Sequence, residues 1–128
     1  MSMKIRNFTP HGVNVQDPEG LQSFPSEGVA RVQTSNKTFM QIENDIPVSR
    51  VVYGATEGLP EPEELTLLIV SMVVAQANPT RHDLICPDSS PSGAIRNAEG
   101  QITAVKGFVC YASASPYYMP ELTPPIID

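Results

Sequence analysis

The chain has no tryptophan, only 6% aromatic residues, two cysteines and two histidines, and each shortage closes off some chemistry. His11, His82, Cys86, Cys110 and Asp88 carry ligand atoms, but no CxxC, HxxxH or HExxH spacing joins them, so no metal is expected. Two cysteines pair only if the fold brings their Cα atoms within about 7 Å; in a reducing compartment the expected state is two buried thiols. Glycine-rich phosphate loops and the GxGxxG fingerprint are missing. Triphosphate hydrolysis and hydride transfer are therefore disfavoured, and no cofactor is expected. Basic residues are also scarce. Eight Lys and Arg stand singly against 14 Asp and Glu, a formal charge of −6, whereas long nucleic acid is held by a basic stripe that releases counterions. A few convergent Arg or His side chains still suffice for one small anion. Finally, the longest apolar run, Leu65 to Ala75, is broken by Ser71 and too short to span a bilayer, and MSMKIRNFTPHG lacks a signal peptide's apolar core. A cytoplasmic location without membrane contact is expected.

What is present is proline, 13 in 128 residues, punctuating short apolar segments. Lys4 to Phe8 and Gly12 to Gln16 read as strands. Asp17-Pro18-Glu19-Gly20 is a strong turn, returning through Leu21 to Phe24. Pro25-Ser26-Glu27-Gly28 turns again, and Val29 to Thr34 alternates as V-A-R-V-Q-T, which puts Arg31 on a strand where its head can be aimed. Thr38 to Ile42 and Val48 to Tyr53 read as two further strands, followed by an acidic loop, Gly54 to Glu64. Leu65 to Val70 is a buried strand. Ser71 to Gln76 suits helix or strand, with a helical turn or two preferred because Asn78-Pro79 stops it. Leu84 to Cys86 is a short strand, and Ala94 to Arg96 with Gln101 to Phe108 forms a hairpin about Asn97-Ala98-Glu99-Gly100. The expected fold is α+β, mainly antiparallel β with one short helix, a compact single domain over residues 4–110 followed by a Pro-rich tail, 111–128. In that tail Tyr117, Tyr118 and Met119 are apolar enough to anchor a partner or to pack on the domain itself.

The junction at Ser71 is the candidate site. Ser71 follows a buried strand and leaves the amides of Met72 and Val73 free, an arrangement that favours an anion when a helix begins there. Arg31 and Arg81 are candidates to hold the charge, His11 to hydrogen-bond, and Gln76 and Asp83 to read a polar group. The simpler alternative is that Ser71 only caps while Arg81 pairs with Asp83 or Asp88 to tie down a loop. A Cys86 nucleophile lies about 13 Å from His82 on an extended strand, and Ser71 lacks the glycines of a strained elbow. No catalytic residue is assigned.

The residues Asn7-Phe8-Thr9-Pro10-His11, then Phe24 to Val32, Leu59-Pro60, Ile69-Val70-Ser71, Val74-Ala75 and Arg81-His82-Asp83-Leu84 up to Pro87-Asp88 follow the order NLTPH, FPPSGxARV, LPxP, YIVSxxVAxA and RxDLxxPD. Over residues 4 to 108 the chain thus resembles a family of small phage and prophage proteins without an established activity. It departs from their pattern at Phe8, Glu27, His82 and Cys86, and in the tail after Tyr111. The resemblance implies a phage origin and, with it, the host's bacterial cytoplasm. Combined with the candidate pocket, it leads to an expected homo-oligomeric, non-enzymatic anti-defence protein, a sponge sequestering a small anionic, nucleotide-like immune signal. The alternative is an interaction or virion-assembly component, or an inhibitor docking on a host protein through the acidic loop and the tyrosine tail.

Overall fold

The computed structural model describes residues 3–112. Along the chain, β1 (Lys4–Asn7) is followed by the tight hairpin of β2 (Val13–Asp17) and β3 (Gly20–Phe24), then by two long strands, β4 (Arg31–Ile42) and β5 (Ile46–Glu57), joined by a 3₁₀ turn at Glu43–Asp45. Next come β6 (Thr66–Ile69), the single helix α1 (Met72–Ala77), β7 (Leu84–Pro87), β8 (Ala94–Arg96), β9 (Ile102–Val105) and β10 (Phe108–Val109).

These strands form two four-stranded sheets, ordered β1-β6-β7-β10 and β3-β2-β9-β8, and a separate two-stranded ribbon, β4-β5. Contrary to the antiparallel expectation, the four-stranded sheets are mixed. β1 runs parallel to β6, β6 to β7, and β2 to β9. Turn chemistry reveals antiparallel neighbours such as β2 and β3, but nothing local marks β1 and β6 as partners. What does mark a parallel strand is burial on both faces, which turns alternation into a continuous apolar run. Leu68, Ile69 and Val70 are such a run, each at most 2% exposed.

The core gathers Phe8, Ala30, Leu68, Val70, Val74, Ala75, Leu84 and Cys86, with Leu59 and Val109 packed against it. The chain passes between sheets at Lys106-Gly107, where β9 ends and β10 joins β7. Phe108 then meets Phe24 of β3 edge to face, ring centroids 6.3 Å apart. At the β2–β3 turn, Asp17 accepts from the Gln22 side chain at 2.6 Å and the Glu19 amide at 2.8 Å. Those bonds, Gln22's first, hold its carboxyl below the ordinary value.

The ribbon departs most from the sequence reading. Val29 to Thr34 and Thr38 to Ile42 belong to one segment of chain in which β4 is continuous from Arg31, and Gly54 to Glu57 extends β5 instead of opening the acidic loop. Each strand has 12 residues, and register breaks between Val32 and Thr34 and between Thr38 and Met40 absorb the irregular spacing. Ser35-Asn36-Lys37 is a poor strand sequence alone; pairing with Arg50 to Val52 carries it through.

Candidate functional site

Asn7 and Ile69 are register partners in the parallel pair β1–β6, so the chain leaves both strands at the same sheet edge, as Phe8-Thr9-Pro10 and as Val70-Ser71. The Phe8 amide donates to the Ile69 carbonyl at 2.9 Å, and the Ala30 amide donates to the Phe8 carbonyl at 2.9 Å. The second bond sets the base of the ribbon beside that edge. Between these segments and α1 lies a cavity of about 430 Å³. Its apolar side is Phe8, Ala30 and Val74; its polar groups include Thr9, Arg31, Gln33, Glu57 and Ser71. The outer carboxyl ends of parallel strands are where open α/β sheets place ligands.

Two of the six residues singled out in the sequence, Arg31 and Ser71, meet in this cavity. Ser71 caps α1 in extended conformation without a side-chain capping bond, so its hydroxyl remains available. The helix has six residues, too few for its dipole to matter much. The Arg31 side chain makes no hydrogen bond or ion pair among the described residues, although Glu57 is its cross-strand partner. A free guanidinium with a carboxylate, an amide and a hydroxyl nearby can take one anionic group and accept from a ligand's own donors.

The other four do not line the cavity. Gln76 is exposed on α1 and His11 is exposed in its turn, where its carbonyl, not its ring, accepts from Asn7 and Thr9. Arg81 grips Asp83 with two bonds, 2.9 and 2.8 Å, and donates to the Pro60 carbonyl at 2.8 Å. That clamp ties the loop after β5 to the start of β7, the alternative considered for it above. Arg81→Ala is accordingly expected to lower unfolding free energy by about 2 kcal/mol, below the usual loss for a fully buried pair, since the Arg81 side chain is 21% exposed. Urea denaturation checks this; lost ligand binding at unchanged stability would contradict it.

Gln33 and Glu57 were missed. The alternation that placed Arg31 on one strand face also places Gln33 there, two residues on, so a signal existed for Gln33. Glu57 gives none, because Gly54 to Glu64 reads as loop.

A second cavity, about 630 Å³, is lined by Met72, Cys86, Asp88, Val109 and Tyr111 among others, and it lacks a cation. The two cysteines do not share one environment as expected: Cys86 is buried and Cys110 exposed, and both are free. Burial first, and the nearby Cys110 second, push the Cys86 thiol from 9.0 up to about 11, which leaves it protonated and a poor nucleophile at neutral pH. Iodoacetamide at mildly alkaline pH is expected to label Cys110 in native protein and Cys86 only after denaturation, as read by peptide mass spectrometry. Equal native labelling would contradict the assignment. The sign for stability follows: above 9.0 the unfolded chain gives up this proton while the native chain keeps it to about 11, so stability falls as pH rises through that window.

Among the described residues, no helix is long and apolar enough to cross a membrane. No family model, curated protein or solved structure matches the chain.

Proposed function

We propose that the protein binds a small anionic ligand in the cavity between β1, β6 and the base of the ribbon, without chemical turnover. The observation that carries this is the unpaired Arg31 guanidinium lining a half-apolar cavity. One cation selects one anionic group, a phosphate or carboxylate. Glu57 disfavours a second negative group nearby and accepts from hydroxyl or amino donors, while Phe8 and Val74 offer apolar contact. A nucleotide-derived molecule with a single charged group, ribose hydroxyls and a flat base has that chemistry. In the setting implied by the phage-like motifs, the role is an anti-defence sponge that removes such a signal from the host, acting as a homo-oligomer.

A binder returns its ligand unchanged, whereas an enzyme returns product. Protein loaded in signalling bacterial cells, washed and denatured, is expected to release a molecule identical in mass and fragmentation to the one it took up. Release of an altered molecule would overturn the sponge. The alternative from another class, an interaction or assembly component, is favoured by one observation: the ribbon carries exposed Phe39, Met40, Ile42 and Ile46, more apolar surface than a lone chain needs.

A further inference from the structure

Beyond its base the β4–β5 ribbon is exposed on both faces, and near the tip one of them is the more apolar. Its register pairs Ile42 with Ile46, Met40 with Val48, Lys37 with Arg50 and Ser35 with Val52. Residues 46, 48, 50 and 52 alternate onto the same side of β5, so these pairs share a face. Phe39, at the register break, joins it, since the Arg50 guanidinium lies 5.0 Å from its ring centroid. The opposite face carries Thr34, Asn36, Thr38, Gln41 and Ser49, together with Pro47, Val51 and Tyr53; it is the more polar of the two, above all toward the tip. Phe39 is 54%, Ile42 50% and Ile46 51% exposed. A two-stranded ribbon is marginal in water without a third strand or a packing partner, and apolar surface clustered in the tip half of one face, at Phe39, Met40, Ile42 and Ile46, marks an interaction site.

Charge identifies the occupant. Lys37 and Arg50 sit directly opposite each other, a like-charged pair that costs stability, and no carboxylate pairs with either among the described residues. The matching anions stand at the tip, Glu43 and Asp45, five or six residues away. They are too distant to reach their own chain's basic pair, Glu43 about 20 Å from Lys37 and Asp45 about 17 Å from Arg50 along an extended strand. A second copy turned end for end about a two-fold axis near Met40 and Val48 brings each tip over its partner's Lys37 and Arg50 and lays the two apolar faces together. The surface is self-complementary, as an isologous interface must be.

We propose that two copies of this chain associate through the apolar faces of their β4–β5 ribbons, antiparallel, with Glu43 and Asp45 of each set against Lys37 and Arg50 of the other. The ribbon's outer half lies away from the Arg31 cavity, so this association stands or falls separately from ligand binding.

The full chain, by sedimentation equilibrium at tens of micromolar, is expected at twice its 13.9 kDa. Joint Ile42→Asp and Ile46→Asp substitution is expected to weaken association at least about 100-fold, with the far-ultraviolet spectrum of the body retained. A charge exchange tests the geometry without touching apolar residues. Lys37→Glu and Glu43→Lys chains should each dimerise poorly alone and form a heterodimer when mixed, since mixing restores both contacts; native mass spectrometry reads the species. Three results would overturn the proposal: a single-chain mass for the wild type, a dimer indifferent to these substitutions, or a dimer lost on removing residues 113–128 yet unaffected by the ribbon variants, which would assign the contact to the tail.

Discussion

Gly58→Ala is expected to lower the free energy of unfolding by about 4 kcal/mol, enough to leave much of the chain unfolded at physiological temperature. Gly58 has φ +78, a left-handed conformation that costs an L residue about 1–2 kcal/mol. A Cβ built there would also overlap the Val29 carbonyl oxygen. No rotamer change relieves that overlap, because the obstacle is backbone. Nor can Val29 retreat freely, since the next residue, Ala30, is core and its amide is bonded to the Phe8 carbonyl at 2.9 Å. Gly100 is the internal control. Its φ is +82, but nothing lies within 4 Å of a Cβ there, so Gly100→Ala should show only the conformational cost, about 1 kcal/mol. Urea unfolding of both variants measures the difference, and equal midpoints would mean that the Val29 contact is not a constraint.

Asn7→Asp is expected to be nearly as severe. Asn7 is 0% exposed, and its side chain uses every hydrogen-bonding group it has. Nδ2 donates to the His11 and Phe24 carbonyls, both at 2.8 Å, and Oδ1 accepts from the Thr9 amide at 2.9 Å and the Thr9 hydroxyl at 2.7 Å. Exchanging the amide nitrogen for oxygen sets a buried carboxylate against two carbonyl oxygens and removes two good bonds, a loss of about 3–5 kcal/mol at neutral pH. The pH dependence carries a sign. Burial raises the new carboxyl's pKa in the folded state above the unfolded value of about 3.9, so the deficit relative to wild type grows as pH rises from there and narrows on acidification. Chemical denaturation at neutral and mildly acidic pH reads this, and a deficit independent of pH would place the side chain in water.

These two sites explain why the motifs NFTPH and FPSEGVARV could be seen in the sequence without revealing a function. Asn7, Thr9 and the Val29-Ala30 backbone build the edge from which Arg31 projects; they are scaffold more than site. What the sequence showed well was local. Asp17-Pro18-Glu19-Gly20 is the β2–β3 turn, Asn97 organises the β8–β9 turn by accepting from the Glu99 and Gln101 amides at 2.9 and 3.0 Å, and within Ser71 to Gln76 the chain is helical from Met72, as preferred, with Ser71 its extended cap. What it hid was long-range: the parallel neighbours of β6, the fusion of three short strands and the start of a loop into one ribbon, and the pairing that brings Glu57 opposite Arg31. Arg81 was visible as a cation, but the choice between ligand and Asp83 depended on the bend that turns both side chains together. Residues 111–112 of the proposed tail are described, whereas Tyr117, Tyr118 and Met119 lie outside the described residues.

The binding account rests on Arg31 as anion anchor of the cavity between β1, β6 and the ribbon base. Native mass spectrometry of the full chain recovered from signalling bacterial cells tests it most directly, comparing wild type with Arg31→Ala and with Arg81→Ala. The wild type should carry a retained small molecule, Arg31→Ala should fly as bare polypeptide, and Arg81→Ala, though less stable, should keep the adduct. Bare wild-type polypeptide, or equal retention by wild type and Arg31→Ala, would contradict the account.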